Sequence, residues 1–468
     1  MDRRAIFHGA VIHSLGPSEL VILERALLVV DSGGTIAHFA EDVAREAVPS
    51  VLASLDPSPA PAPAADADAD GRPRVEVRYL GRGEFVMPGL VDAHNHAPQW
   101  GQRGLGQGLH ILDWLAEVTF PNEARFADAA HARRVYAACV GGMLRQGVTT
   151  AAYYGSRHAE ATGALADLCH ARGQRALVGK CNMDRGAPAR FCDADAAASL
   201  RDTEACIAHV RRLDPAGALL RYVLTPRFAV ACGPALLAGL GALAGADPRL
   251  AVQTHFSEAE QEVRRTRELF PAFAGSEADL YASFGLLGPR TILAHCCLVD
   301  DREIDRVRAL GCGVAHCPVA NATVGGGFMA APVRRLLRRG VHKIGLGTDS
   351  GGGFSSSVLD AARMALVASA AREAATAGAD PALTLAEVFY LATLGGARVC
   401  GVGDRVGCFA AGREFDALVI DANESAGVMA MLQDDDDTRI IFEKFLMTGD
   451  DRNIREVYVC GRSVKPQS

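Results

Sequence analysis

The sequence lacks the features that mark several broad classes of protein. It has no excess of basic residues, since 48 Lys and Arg stand against 55 Asp and Glu, a net charge of −7. That balance argues against a nucleic-acid partner. Proline and glycine interrupt its two long uncharged stretches, 228–246 and 310–333. We therefore expect no membrane span, which needs about 20 continuous apolar residues.

Targeting, redox and nucleotide-binding motifs are also missing. The first residues contain no long apolar region, so we predict no signal peptide. The 13 cysteines are odd in number and show no CxxC spacing, which favours reduced, mostly buried thiols in a cytoplasmic protein. The glycine-rich segment 347–353 lacks the lysine and the spacing of a phosphate-binding loop.

The composition that remains is that of a folded globular chain. Of the 468 residues, 49% are hydrophobic and 22% are charged, which leaves ample material for a buried core. Residues 56–70 are built almost entirely from Pro, Ala and Asp, a composition that predicts an exposed insertion. We expect the short-stranded segments 1–83 and 401–468 to pair into one small β-domain built from both chain termini.

The middle of the chain, 84–400, alternates short β-rich runs with longer helical patterns. Eight strands are predicted there, at 85–93, 147–154, 175–182, 220–226, 250–255, 291–296, 312–317 and 343–348. Strand–helix units repeated eight times predict an α/β fold of the (β/α)8 TIM-barrel type. A helix at 383–400 and strands at 416–421 and 455–459 are predicted to follow.

Polar side chains stand at the carboxyl ends of four predicted strands, where barrel enzymes place their active sites. His94 and His96 are two residues apart and point the same way from one strand. His255, His295 and Asp349 end three further strands. Each residue alone has an ordinary structural explanation. Their joint occurrence at one mouth predicts a site for zinc or a similar ion.

Other residues near the strand ends are interpreted differently. Glu258 lies about one helical turn beyond His255, too far along the chain to share its ligand role but well placed to face a substrate. His316 ends the seventh strand and is interpreted as a packed residue. Lys180, on the third strand, is not expected to bind metal.

The order HxH, His, His, Asp on an eight-stranded barrel resembles the amidohydrolase superfamily, and within it the guanine deaminases. The resemblance extends beyond the metal motif through most of 84–468. The matching segments are 88–99, 114–115, 119–121, 224–228, 255–258, 294–296, 316–318, 345–349, 391–396 and 449–454. The sequence departs from the family pattern at Pro98, at Trp100 and in Val319-Ala320-Asn321.

The resemblance implies zinc-dependent hydrolysis of guanine to xanthine and ammonia in purine catabolism or salvage. It implies one zinc ion per chain, held by His94, His96, His255 and Asp349. It further implies purine contacts from Gln99, Arg227 and Phe228. A homodimer is expected on the same ground.

The residues can be given roles in such a reaction. Bound zinc lowers the pKa of its water to about 7. Glu258 and Asp349 are the candidate proton carriers, and we assign proton shuttling between water and purine to Glu258. His295 is expected to hydrogen-bond the attacking hydroxide or the developing tetrahedral centre. Glu258 and His255 also face the substrate, and Phe228 or Trp100 can stack on the base.

Two alternatives remain open at this stage. The chain could be a deaminase or chlorohydrolase of the same superfamily that acts on another nitrogen heterocycle, such as an 8-oxopurine, cytosine or a triazine. It could also be a non-catalytic scaffold that kept the barrel, although the expected ligands and Glu258 are all present.

Overall fold

A computed structural model describes residues 3–55, 76–273, 275–324, 329–425 and 427–466. The predicted insertion at 56–70 lies outside the described residues. The strands, in chain order, are β1 (Arg3–Gly16), β2 (Glu19–Asp31), β3 (Ile36–Ala40), β4 (Val77–Tyr79), β5 (Glu84–Pro88), β6 (Leu90–His96), β7 (Val148–Tyr154), β8 (Arg175–Gly179), β9 (Cys181–Asn182), β10 (Leu220–Pro226), β11 (Ala251–Phe256), β12 (Thr291–His295), β13 (Gly313–His316), β14 (Ile344–Leu346), β15 (Ala417–Asp421), β16 (Ile454–Val459) and β17 (Arg462–Ser463).

Parallel strands form the predicted barrel. They follow the chain order β6, β7, β8, β10, β11, β12, β13, β14, with the short β9 beside β10. The first and last strands meet where the backbone N–H of Asp349 donates to the carbonyl of His94, at 2.9 Å. The near-closed barrel confirms the predicted fold class. It also brings the ends of all these strands to one mouth.

The second sheet is built from both ends of the chain, as predicted. Its order is β17, β16, β15, β5, β1, β2, β3, with β4 also paired to β1. Most of its pairs are antiparallel, but β1 runs parallel to β4 and β5. Its strand β15 pairs with β5 along residues 417–421 and 84–88. Because β5 directly precedes β6 in the chain, the terminal sheet is connected to the first barrel strand through a single residue.

The predicted strand 85–93 is wrong as a single strand. Residues Glu84–Pro88 belong to the terminal sheet, and the barrel begins with Leu90–His96. The chain changes sheets at Gly89, where a Cβ would lie 2.1 Å from Thr149 Oγ1. Both strands are buried and apolar, so hydrophobicity alone does not separate them. The predicted domain boundaries stay predictions. Strand β5 belongs to the terminal sheet, although the predicted segment 84–400 assigns its residues to the barrel.

Helices pack against the barrel and against the terminal sheet. The α-helices are α1 (Val48–Ser54), α2 (Ile111–Trp114), α3 (Phe120–Glu123), α4 (Ala129–Arg145), α5 (Ala159–Arg172), α6 (Ala196–Leu213), α7 (Pro234–Ala246), α8 (Glu260–Leu269), α9 (Glu277–Ser283), α10 (Asp301–Leu310), α11 (Pro318–Thr323), α12 (Val333–Arg338), α13 (Val358–Ala375), α14 (Leu385–Tyr390), α15 (Gly396–Val399) and α16 (Thr438–Thr448). A π-helical turn at Leu391–Gly395 joins α14 to α15, so the helix predicted at 383–400 is confirmed.

Local sequence signals account for several helix ends. Asp195 and Asp300 accept hydrogen bonds from the backbone at the starts of α6 and α10, as N-capping residues do. Thr384 and Glu387 form a capping box at the start of α14. Gly311 ends α10 with φ +71°, a conformation that glycine adopts without strain.

The interior holds most of the thiols. Eleven of the 13 cysteines are buried, as predicted from their distribution. Within the described part of the chain, no helix is long and apolar enough to cross a membrane.

Candidate metal centre and active site

Four predicted metal ligands converge at the carboxyl ends of the barrel strands. The side chains of His94, His96, His255 and Asp349 are buried, and one ligand atom of each lies within 4.8 Å of the others. Asp349 Oδ1 is 3.3 Å from the Nε2 atoms of both His94 and His96. The Nε2 atoms of His96 and His255 are 3.0 Å apart. Three imidazoles and one carboxylate form a donor set typical of zinc.

The protonation of these side chains suits metal binding. Burial lowers the pKa of His94, and lowers those of His96 and His255 well below the ordinary value. The histidines are therefore neutral, which is the form that binds metal. Burial alone would raise the pKa of Asp349, but the neighbouring imidazoles, that of His94 above all, outweigh it and lower that pKa.

Neighbouring groups orient the ligands. His255 Nδ1 lies 2.5 Å from the carbonyl oxygen of Arg227, so Nδ1 donates and Nε2 keeps its lone pair for a metal. His94 Nε2 is buried and has no hydrogen-bond partner among the described residues. Such an orphaned nitrogen is unfavourable unless a metal or another ligand satisfies it. The donor set therefore fits a metal ion.

Asp92 ties the first strand of the barrel to the last. Its carboxylate accepts hydrogen bonds from Thr348 N and Oγ1, at 2.9 and 2.6 Å, and from Asn95 Nδ2, at 2.9 Å. Burial raises the pKa of Asp92 to about 6, against the opposing effect of these bonds. Asp92 thus holds the strand ends that carry His94 and Asp349, a role that its place in the motif did not indicate.

Glu258 and His295 lie beside the metal ligands. Glu258 Oε2 is 3.6 Å from His295 Nε2, and both side chains are buried. Burial raises the pKa of Glu258 to about 7, although the charge of His295 counteracts it. A carboxyl group with a pKa near 7 can both accept and release a proton at neutral pH.

Three residues of the site have strained backbone conformations. Ser257, His295 and Asp349 have φ values of +46°, +74° and +43°, which non-glycine residues rarely adopt. Each such residue costs about 1–3 kcal/mol, and such strain is common at active sites. Here it occurs at or just beyond the ends of three barrel strands, at two residues of the site and at Ser257, which directly precedes Glu258.

A cavity next to the metal ligands contains most of the predicted substrate-binding residues. Its wall includes Gln99, Arg227, Phe228 and Glu258, and also Trp114. The ring of Phe228 lies 6.1 Å from that of His255. The cavity therefore joins hydrogen-bonding groups, an aromatic wall and the candidate proton carrier.

Trp100, which was predicted as an alternative to Phe228 for stacking on the base, lies away from this cavity. It does not line the cavity. Its ring lies against Gly142 of α4, where a Cβ would be 2.4 Å from the ring. The guanidinium carbon of Arg103 lies 3.5 Å from the centroid of the same ring. Adjacent positions on the short 3-10 segment Ala97–Gln102 point to different sides, so Gln99 faces the cavity and Trp100 packs behind it.

Sequence reasoning missed two residues of the site. Glu123 is buried and hydrogen-bonds Gln99 and Arg227; its only sequence signal is its position just after the family-like segment 119–121. Asn321, noted before only as a departure, accepts from His295 Nδ1 at 2.7 Å. Lys180 is not among the ligands, since its ammonium group pairs with Asp193 at 2.8 Å. His316 is buried and lies outside the four-residue set.

A larger cavity, of about 420 Å³, lies at the opposite end of the barrel. Its wall includes Leu177, Tyr222, Leu250 and Cys400. None of the candidate metal ligands or proton carriers lines it, so the chemistry is assigned to the smaller cavity at the carboxyl ends of the strands.

Comparison with known proteins agrees with this geometry. Residues 85–464 match the amidohydrolase family. The chain belongs to the amidohydrolase family. The resemblance inferred from the motifs is thereby confirmed, and the buried His and Asp cluster is the metal-binding site of this amidohydrolase.

Named relatives cover nearly the whole amidohydrolase chain. It is 35% identical to the guanine deaminase of Rattus norvegicus over 99% of its own length and 97% of the relative's. It is 40% identical to a chain of Schizosaccharomyces pombe described as a probable guanine deaminase, over 81% of its length and 71% of the relative's. The structure of guanine deaminase from C. acetobutylicum with bound guanine matches with a TM-score of 0.83, 30% identity and coverage of 98% and 99%.

Proposed function

We propose that this amidohydrolase deaminates guanine hydrolytically to xanthine and ammonia, with one zinc ion per chain. The observation that carries the proposal is the convergence of four metal ligands and Glu258 beside a cavity walled by Gln99 and Arg227. The relatives named guanine deaminase, which match over the full chain, support the same substrate.

His94, His96, His255 and Asp349 would hold the zinc ion. Nitrogen ligands with one carboxylate favour zinc over magnesium or calcium, which prefer oxygen ligands. When bound, zinc lowers the pKa of a coordinated water to about 7 and so makes a nucleophile available at neutral pH. The remaining chemistry is assigned to side chains of this chain.

Glu258 moves the protons. Hydrolytic deamination adds water to the carbon that bears the amino group, breaks the carbon–nitrogen bond and releases ammonia. The water must lose a proton, and the departing nitrogen must gain one. Glu258 is buried and has a pKa raised to about 7, so its carboxylate can accept the first proton and deliver one to the purine. His295 orients the attacking water through Nε2.

The purine is bound between polar and aromatic groups. Arg227 supplies donors for the carbonyl edge of the ring, as guanidinium groups do for guanine elsewhere. Gln99 supplies an amide, and Phe228 supplies an apolar wall beside His255. Burial of these groups excludes competing water, which strengthens each hydrogen bond to the substrate.

The test is to incubate purified protein with guanine while recording the ultraviolet spectrum and the release of ammonia. We expect xanthine and ammonia to form in equal amounts, and about one zinc ion per chain by elemental analysis. Preferred turnover of cytosine or a triazine would overturn the assignment. The homodimer and the cytoplasmic location implied by the resemblance stay predictions; light scattering during size-exclusion chromatography would test the first.

A further inference from the structure

Glu123, at the end of α3, connects the two polar residues of the substrate cavity. Its side chain is 1% exposed. Oε1 accepts from Gln99 Nε2 at 2.8 Å and from Arg227 Nη2 at 3.2 Å, and Oε2 accepts from Arg227 Nη1 at 2.9 Å. One carboxylate thus holds both residues that are proposed to contact the purine.

The carboxylate fixes which end of the Gln99 amide is available. An ionised carboxylate only accepts hydrogen bonds, so Gln99 must turn its NH2 group towards Glu123 and its oxygen away. Gln99 Oε1 is buried and has no hydrogen-bond partner among the described residues. It lies beside Gly351, where a Cβ would be 2.3 Å from it. A buried, unpaired acceptor next to the cavity favours a ligand that donates to it.

The same carboxylate also fixes the plane of Arg227. Two Nη atoms are engaged by Glu123 in a bidentate pair, a geometry that restricts the guanidinium to one orientation. Burial alone would lower the pKa of Arg227, but the Glu123 carboxylate and the nearby Cys181 sulfur raise it above its ordinary value. Arg227 is therefore a permanent donor, set next to the Gln99 acceptor.

We propose that Glu123 is a positioning residue that sets the substrate preference of the cavity, because it makes Gln99 an acceptor and Arg227 a donor. This proposal rests on the proposed function. Guanine has an N–H donor at N1 next to a carbonyl acceptor at C6. The purine 2,6-diaminopurine carries the same amino group at C2 but has an acceptor at N1 and a donor at C6. The Gln99 acceptor and the Arg227 donor match the N1 donor and the C6 acceptor of guanine. They oppose the N1 acceptor and the C6 donor of 2,6-diaminopurine.

The test measures kcat and KM for guanine and 2,6-diaminopurine in the wild type and in Glu123→Gln. The substituted amide can donate to Gln99 Oε1, so the Gln99 amide can rotate and present either end. We expect the preference for guanine to fall about 10-fold to 100-fold, mainly through KM for guanine, with zinc content unchanged. An unchanged preference would overturn the proposal.

A second variant separates positioning from simple damage. Gln99→Met removes the acceptor and leaves the Glu123–Arg227 pair in place. Its preference should fall as well, and the double variant should lose less than the sum of the two single losses, because Glu123 acts in part through Gln99. Additive losses would contradict the proposal. If Glu123→Gln fails to fold, an unchanged preference for guanine in Gln99→Met would contradict it instead. A wild type inactive on guanine would instead refute the proposed function.

Discussion

Glu258 Oε2 lies 3.6 Å from His295 Nε2, and the other ring nitrogen of His295 lies 2.7 Å from Asn321 Oδ1. Because the amide oxygen accepts, Nδ1 of His295 carries a proton, and the other ring nitrogen, Nε2, faces Glu258. One further proton can then be shared between Nε2 and the Glu258 carboxylate. The pair is arranged to hold a proton next to the metal ligands and to pass it on.

Glu258→Gln tests this role. The amide keeps the size of the side chain but cannot carry a proton between water and purine. We expect kcat on guanine to fall by about 100-fold to 10,000-fold, the usual share of general acid–base catalysis. Zinc content and guanine binding should persist. Glu260→Gln, an exposed position on the next helix, is the matched control, and near wild-type turnover by Glu258→Gln would refute the role.

Asp349→Ala should separate metal binding from proton transfer. Asp349 Oδ1 lies 3.3 Å from two ligand histidines, so its removal takes away one of four donors. We expect zinc content after dialysis and activity to fall together, whereas Glu258→Gln loses activity alone. Elemental analysis alongside kcat makes the comparison. Full zinc retention in Asp349→Ala would exclude Asp349 as a ligand.

Tryptophan fluorescence should report purine binding through Trp114. The chain has two tryptophans; Trp114 lines the cavity, and Trp100 packs between Gly142 and Arg103. We expect guanine added to Glu258→Gln to change the emission, and the change to disappear in a double variant that carries Trp114→Phe. Loss of the change with Trp100→Phe instead would restore the original prediction that Trp100 stacks on the base.

The barrel and the metal ligands could be predicted because their signals are local. Each ligand stands at the end of its own strand, and parallel barrel strands all end at the same mouth. Glu123 could not be predicted in the same way, since its partners Gln99 and Arg227 are 24 and 104 residues away. The direction of Trp100 depends on a 3-10 turn, and the switch at Gly89 depends on contacts with another strand.

Asp416→Ala should destabilise the fold without entering the active site. Asp416 Oδ2 lies 3.0 Å from Arg175 Nε, and this buried pair joins the first residue of β8 to the terminal sheet. Removal of Asp416 leaves the buried Arg175 guanidinium with the Glu414 carboxylate, at 2.6 Å, as its ion-pair partner, so we expect a loss of about 1–3 kcal/mol, the cost of a buried polar group that loses a hydrogen-bond partner. Urea unfolding measures the loss. Arg302→Ala, which breaks an exposed pair with Asp279, should cost at most about 1 kcal/mol. Equal losses of unfolding free energy in the two variants would show that the buried Arg175–Asp416 pair contributes no more than an exposed one.

Glu262→Gln should change how stability depends on pH. Burial, and then the charge of Glu277, raises the pKa of Glu262 well above its ordinary value of 4.5. Above pH 4.5 Glu262 therefore keeps in the folded chain a proton that it loses in the unfolded chain. The stabilisation is fully present below pH 4.5 and is lost as the pH rises through the raised pKa of Glu262. Between these limits the contribution of Glu262 to the free energy of unfolding should fall by about 1.4 kcal/mol per pH unit.

The amide in Glu262→Gln is neutral at every pH, so the stability of the variant relative to wild type should increase with pH. Urea unfolding of both proteins at a series of pH values measures the difference, and Glu268→Gln, an exposed position on the same helix, should run parallel to wild type. A constant difference between Glu262→Gln and wild type would mean that Glu262 is already ionised in the folded protein.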